Sequence, residues 1–274
     1  MSEPSASAQA MDRLLDLMAR LRAPDGCAWD REQTPATLKP QMIEECYEVI
    51  EAIDAGSPQH LTEELGDLLL HIVFQAQIAR EAGRFAFADV ANGIADKLVR
   101  RHPHVFGEAK VADAEGVVAQ WHELKKSEKP ERESALDGVP RSLPALMRAE
   151  ALQKKARRVG FDWPDARGSL DKVREEVAEV TAEIESDLAF AQANETKFVP
   201  APETAEELGD LLFSIVNLTR HLKLDAEELL AGANDKFARR FRAVEGRIKA
   251  QGKTMADCSL EELDAAWNDV KSDG

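Results

Sequence analysis

One acidic pattern occurs twice in this chain, and both copies carry helical spacing. Residues 63–73 read EELGDLLLHIV and residues 206–216 read EELGDLLFSIV, identical at nine of eleven positions. Each is preceded by EExxE: Glu44, Glu45 and Glu48 in the first half, Glu175, Glu176 and Glu179 in the second. Each is followed by DKxxRR: Asp96, Lys97, Arg100 and Arg101, then Asp235, Lys236, Arg239 and Arg240. The three motifs keep their order, with 131 positions between Glu44 and Glu175, 143 between Glu63 and Glu206 and 139 between Lys97 and Lys236. The length differences fall between motifs, where loops absorb them. Such a chain folds as two copies of one helical unit.

Composition agrees with an all-α fold. Aromatic residues make up 5% and hydrophobic residues 44% of the 274 positions, so the cores are aliphatic and large enough to bury. Thirty-five basic against fifty-one acidic residues give a net charge of −16, which argues against sequence-independent nucleic-acid binding. Three cysteines without a CxxC pair point to a reducing compartment and away from a zinc site. The first ten residues carry neither a basic nor an apolar targeting segment, and no apolar run is long enough to span a bilayer. The expectation is a cytoplasmic protein with no membrane partner.

Periodicity and punctuation divide the chain further. The small, polar residues 1–10 are expected to be disordered, 11–124 to form a first helical domain, 125–142 a charged, proline-containing linker and 143–274 a second helical domain. Helices are predicted over about 11–22, 39–55, 63–82 with Thr62 as N-cap, 87–101, 114–126, 143–157, 169–188, 203–223, 225–250 and 259–271. Gly66 and Gly209 fall mid-helix, which makes sense where a neighbouring helix or a ligand comes close.

The shared carboxylates are the costly residues, because acids beside a dense apolar run need a cation or a hydrogen-bonding partner. Residues three or four apart share a helix face, so Glu45 with Glu48 and Glu64 with Asp67 can meet across two antiparallel helices. Glu176, Glu179, Glu207 and Asp210 repeat the arrangement. An all-oxygen set of this kind suits Mg²⁺, with Mn²⁺ as a substitute. A di-iron site of the ferritin type wants Glu-x-x-His, which neither half provides. Lys97, Arg100 and Arg101 share a face, as do Lys236, Arg239 and Arg240, and cations beside a metal cluster are what a polyphosphate needs. Lys154, Lys155, Arg157 and Arg158 form a further basic run. Trp29, Trp163 and Trp267 either stack a base or fill a core, the commoner use of a lone tryptophan.

Taken together, EExxE with ELGDLL in both halves, CAWDREQT (27–34), DKLVRRHPHVF (96–106), KKARRVGFDW (154–163) and NDKFARRF (234–241) resemble the MazG family of nucleoside triphosphate pyrophosphohydrolases. The resemblance runs from about residue 11 to 271. It implies tandem helical bundles of the all-α NTP pyrophosphatase type, Mg²⁺-dependent hydrolysis of NTPs and dNTPs to the monophosphate and pyrophosphate, a homodimer and a house-cleaning role. Carried over, Glu176, Glu179, Glu207 and Asp210 would hold metal, as would Glu45, Glu48, Glu64 and Asp67. Lys236, Arg240 and Arg239, with Lys97 and Arg101, would hold phosphates. Glu175, Glu176 and Glu207 are the catalytic candidates, and Glu44 and Glu175 either support the ligands or orient water. The second repeat is the expected catalyst. The rival reading is a non-catalytic helical protein that binds metal or nucleotide as a regulator.

Overall fold

The computed structural model describes residues 5–109 and 133–272, with positions 113, 116, 117, 120, 121 and 124 between them. Apart from those positions, the helix expected over 114–126 and the first part of the linker lie outside the described residues. The chain divides into two compact units, Met1–Pro130 and Glu131–Gly274. Among the described residues there are eleven α-helices and no strand.

The first unit holds α1 (Ala6–Leu21), α2 (Ala28–Glu32), α3 (Lys39–Asp54), α4 (Pro58–Glu81), α5 (Phe87–Arg101) and α6 (Pro103–Phe106). The structure departs from expectation at the chain start, where α1 begins at Ala6 and Ser5 Oγ accepts the Ala8 N–H. A serine cap satisfies a donor that would otherwise be orphaned, and the helix then carries Met11, Leu14, Leu15 and Met18 onto α4. The start of α4 is also corrected. Ser57, not Thr62, is its N-cap, and Pro58 suits the first turn because it lacks an N–H to satisfy. Thr62 lies inside the helix and its hydroxyl donates to Pro58 O at 2.7 Å. Gly56 (φ 63°) turns the chain between α3 and α4, which therefore pack antiparallel. Met18, Leu38, Val73 and Phe74 are buried together, each worth about 1.5–3 kcal/mol in area removed from water.

The second unit holds α7 (Ala145–Arg158), α8 (Ala166–Ala193), α9 (Pro202–His221), α10 (Ala226–Ala250), a 3₁₀ turn (Met255–Asp257) and α11 (Leu260–Ser272). Helices α8 and α9 are the long partners, with α7 packed on α9 and α10. The connection between them is shorter than the sequence implied, because α8 runs on to Ala193. Asp187 on α8 fixes that connection: its Oδ2 accepts the Ala201 N–H at 2.9 Å and the Thr204 hydroxyl at 2.5 Å. Val244, Ile248, Ala266 and Val270 form a second buried cluster where α10 meets α11, with Trp267 packed against it.

Candidate metal centres and the pocket beside one of them

Each helix pair brings its acids together. In the first unit, one carboxylate oxygen from each of Glu45, Glu48 and Glu64 lies within 4.8 Å of the others. Asp67 sits one turn beyond Glu64 and acts on the same group. Burial first, then the charges of Asp67, Glu48 and Glu64, push the Glu45 carboxyl above its ordinary value. In the second unit, Glu176, Glu207 and Asp210 converge within 4.8 Å. Burial, followed by the charges of Glu179, Glu176 and Asp210, raises Glu207. The structure thus gathers three of the four expected acids in each half and sets the fourth, Asp67 or Glu179, at the edge. Mutual repulsion of this kind is relieved by a cation.

The residues present fit a divalent ion. Glu176 is 3% exposed and its Oε2 has no hydrogen-bond partner. Unpaired buried carboxylate oxygens are costly, and an all-oxygen set is what Mg²⁺ accepts. Glu175 lies outside the three-acid group and is exposed, its Oε1 accepting from Lys172 Nζ at 2.7 Å. Glu44 lines a pocket beside the first cluster.

Sequence reasoning missed Lys172. Its Nζ lies 2.6 Å from Glu176 Oε1, 2.7 Å from Glu175 Oε1 and 4.0 Å from Glu179 Oε2. Hydrogen bonds to Glu175 and Glu176 hold the ammonium well above the usual lysine range. The repeat logic hid it, since the position 131 earlier is Gln41. Spacing alone offered a signal: Lys172 precedes Glu176 by one helical turn.

Beside the second cluster lies a pocket of about 830 Å³, the size of a small-molecule site. Phe161, Trp163 and Phe213 give it aromatic walls, while Lys172, Glu176 and Asp210 form its charged side. Trp163 lies across Gly168, where an added Cβ would meet the ring at 2.1 Å, so this turn of α8 needs glycine. Arg220 and Asn217, also in the lining, join a polar network. Arg220 donates to Asp162 through both terminal nitrogens and to Asn217 Oδ1, and His221 Nε2 meets Asp162 Oδ1 at 3.0 Å. Burial alone would raise Asp162; the Arg220 and His221 contacts outweigh it and hold the carboxyl below its usual value. The first unit has a pocket of about 370 Å³ lined by Trp29, Gln41, Glu44, Glu45, His71 and Phe74 among others.

Other expected residues stand elsewhere. Trp163 is at the second pocket, but Trp267 packs on Phe237 with ring centroids 5.2 Å apart and does not line it. Lys236 and Arg239 are exposed on α10 and Arg240 half-buried, and none lines the pocket within one chain. In the first unit Lys97 is half-buried outside the pocket lining, while Arg101 is buried with its guanidinium 5.4 Å from the Trp121 ring centre. The further basic run is engaged: Lys154 pairs with Glu150 at 2.7 Å, Lys155 donates to Asp137 O at 2.6 Å and Arg157 lies 3.7 Å from Asp162. Gly66 and Gly209 meet no close neighbour; a Cβ at either would find nothing within 4 Å. Both face outward from their helices.

Comparison with known proteins agrees with the duplicated architecture. The model of the MazG nucleotide pyrophosphohydrolase domain matches twice, over residues 33–106 and 168–244. Each match spans an EExxE, an EELGD and a DKxxRR. A nucleoside triphosphate pyrophosphohydrolase of Escherichia coli K12 is 47% identical over 264 residues, covering 95% of this chain and 97% of its own. A Thermotoga maritima protein named nucleoside triphosphate pyrophosphohydrolase/pyrophosphatase MazG is 43% identical, covering 95% of both chains. The uncharacterized protein YabN of Bacillus subtilis is 46% identical over 93% of this chain but 50% of its own length. With both acidic helix pairs inside the matched segments, and relatives aligned almost end to end, the chain belongs to the MazG nucleotide pyrophosphohydrolase family.

Proposed function

We propose that this protein hydrolyses nucleoside triphosphates, ribo or deoxy, to the monophosphate and pyrophosphate, and that its second half is the working site. The observation that carries the second-half assignment is the pocket of about 830 Å³ that opens onto Glu176, Asp210 and Lys172. Its size and aromatic walls suit a nucleoside, and its charged side suits the phosphates. The proposed ligands for Mg²⁺, or Mn²⁺ in its place, are Glu176, Glu207 and Asp210, with Glu179 completing the oxygen set. A divalent ion held there supplies Lewis acidity toward the phosphoryl oxygens.

The remaining chemistry falls to the chain itself. Trp163 and Phe161 cover the nucleoside and exclude water from that side. A carboxylate of the set takes a proton from the attacking water as its oxygen bonds to the α-phosphorus. The bond from that phosphorus to the α,β-bridging oxygen breaks, and pyrophosphate leaves with the electron pair. Lys172 is placed to neutralise charge at the cluster as it shifts from Glu176 to phosphate. Lys236, Arg239 and Arg240 form a cationic strip that we assign to the outgoing pyrophosphate. Lys172→Gln is expected to lower turnover by about 10–100-fold and to destabilise the metal-free protein more than the Mg²⁺-loaded one, read by steady-state kinetics and thermal melts with and without Mg²⁺. Equal destabilisation with and without metal would deny Lys172 a place in the cluster's charge balance.

Assembly follows from surface composition. Ile43, Tyr47 and Ile50 on α3 and Leu208, Leu212 and Ile215 on α9 are each 40–57% exposed. They repeat at helical spacing, a pattern that calls for cover. Outward-facing Gly66 and Gly209 flank Leu65 and Leu208 and allow close approach there. We propose a homodimer, and sedimentation at twice the chain mass of 30.2 kDa checks it, with a monomer at micromolar concentration as the contrary result. The reaction itself is tested by product analysis over a panel of NTPs and dNTPs. Equimolar monophosphate and pyrophosphate, abolished by EDTA, is the expected result, and orthophosphate as the first product contradicts it.

A further inference from the structure

The two acidic centres differ in what surrounds them. Lys172 sits among the second-half acids, whereas the matching Gln41 brings no charge and leaves its Oε1 buried without a partner. Among the described residues the ion-pair partners of the first-half acids are histidines. His60 Nε2 lies 2.9 Å from Glu64 Oε1, and His71 Nε2 lies 3.7 Å from Glu45 Oε1. The corresponding positions in the second half, 143 further on, are Glu203 and Ser214. The histidine pair is therefore peculiar to the first half.

His71 is the informative member. It is 7% exposed, and its Nδ1 has no hydrogen-bond partner. Its Nε2 faces Glu45 and the small pocket at a distance beyond hydrogen-bonding reach. Buried polar side chains are nearly always bonded; here Nδ1 has no partner, and Nε2 has the ion-pair contact to Glu45. Two donors that share one cation, each about 2.1 Å from it, stand roughly 3.0–3.4 Å apart. His71 Nε2 and Glu45 Oε1 need to close by only a few tenths of an ångström to share a cation, although His71 lies outside the 4.8 Å group that Glu45, Glu48 and Glu64 form. His60, 45% exposed, is placed to orient Glu64 instead.

We propose that His71 Nε2 is a nitrogen ligand of the first-half centre, which therefore takes a mixed nitrogen and oxygen set and prefers a divalent transition ion to Mg²⁺. The second-half centre, all oxygen, has no such preference. Imidazole suits Fe²⁺, Ni²⁺, Cu²⁺ and Zn²⁺, while carboxylate sets suit Mg²⁺ and Mn²⁺, so Mn²⁺ serves as a paramagnetic probe of the ligands. This inference rests on reading the acidic clusters as metal centres. It gives the duplicated halves different ions, and so allows the first half to respond to a metal that the second does not require.

The test uses the full-length chain carrying Glu207→Gln and Asp210→Asn, so that added Mn²⁺ reports on the first half. Pulsed electron paramagnetic resonance with one equivalent of Mn²⁺ is expected to show directly coupled ¹⁴N. That signal should change to ¹⁵N in protein grown with ¹⁵N-histidine, vanish in His71→Gln and persist in His60→Gln. The preference for Zn²⁺ over Mg²⁺, read by competition against bound Mn²⁺, is expected to fall about tenfold in His71→Gln. Labelling the unsubstituted His71 keeps the test independent of how the variant folds. Bound Mn²⁺ without nitrogen coupling, or coupling lost only in His60→Gln, overturns the assignment and leaves the metal reading standing. No Mn²⁺ bound at all overturns both for the first half, while turnover by the wild type would still support the second-half site.

Discussion

Replacing Glu207 and Asp210 together by alanine is expected to reduce pyrophosphate release by at least about 10³-fold, a loss on the order of 4 kcal/mol in transition-state stabilisation. Both residues project from α9 toward Glu176, and each belongs to the tight carboxylate group. Without them Glu176 and Glu179 are too few to hold an oxygen-rich ion, and the phosphoryl group loses its electrophilic partner. The fold is not expected to suffer. Glu207 is half-buried and Asp210 exposed, and Glu207 is held in a repulsive field of like charges that its removal relieves. Circular dichroism should show unchanged helix content, and the metal-free melting temperature should stay level or rise. The matched pair Glu64→Ala and Asp67→Ala should leave most turnover intact. Loss of activity in the first-half pair alone would move the catalytic site to α3 and α4.

Asp162→Asn should cost about 2–3 kcal/mol in stability at neutral pH and impair the pocket as well. Arg220 is 5% exposed at its side chain, and Asp162 is its countercharge. Asparagine keeps the shape but leaves a nearly buried guanidinium unpaired. The cost falls below that of a sealed ion pair because the Asp162 side chain retains 13% exposure. The pH dependence has a definite sign. The Asp162 carboxyl is depressed in the folded state, so its contribution is complete above the ordinary carboxylate value and is lost as pH falls through the depressed one. The gap between wild type and variant in urea unfolding should therefore be full at pH 7 and close in strong acid. A gap that stayed constant over that range would mean that packing, and not charge, carries the effect. Arg220 and Asn217 also line the pocket, so nucleotide KM should rise in the same variant.

Much of this was legible in the chain because it was written twice. The repeated EExxE and EELGD put Glu45, Glu48, Glu64 and Asp67, and Glu176, Glu179, Glu207 and Asp210, on helix pairs that can face each other, and helix periodicity requires no more than that. What the repeat obscured were the differences between the halves. Lys172 stands opposite Gln41, and His71 opposite Ser214, so comparison for sameness passed over the residues that make the centres unlike. The Asp162–Arg220–His221 network was illegible for another reason: its members lie 58 and 59 positions apart and meet only because α9 returns past the loop before α8. The start of α1 was misjudged because small polar residues read as disorder, although Ser5 followed by alanines is also a cap and a helix. Trp267 shows the reverse limit. Its sequence setting allowed stacking on a base, and within one chain it is spent on the core of α10 and α11.

The most direct test of the central claim is hydrolysis of a nucleoside triphosphate in H₂¹⁸O with Mg²⁺, with products resolved by mass spectrometry. Attack of water at the α-phosphorus, directed by the second-half acids, predicts one ¹⁸O in the nucleoside monophosphate and none in pyrophosphate, with both products lost in EDTA and in the Glu207→Ala/Asp210→Ala protein. Label in pyrophosphate or orthophosphate, or turnover that survives the double substitution, would contradict it.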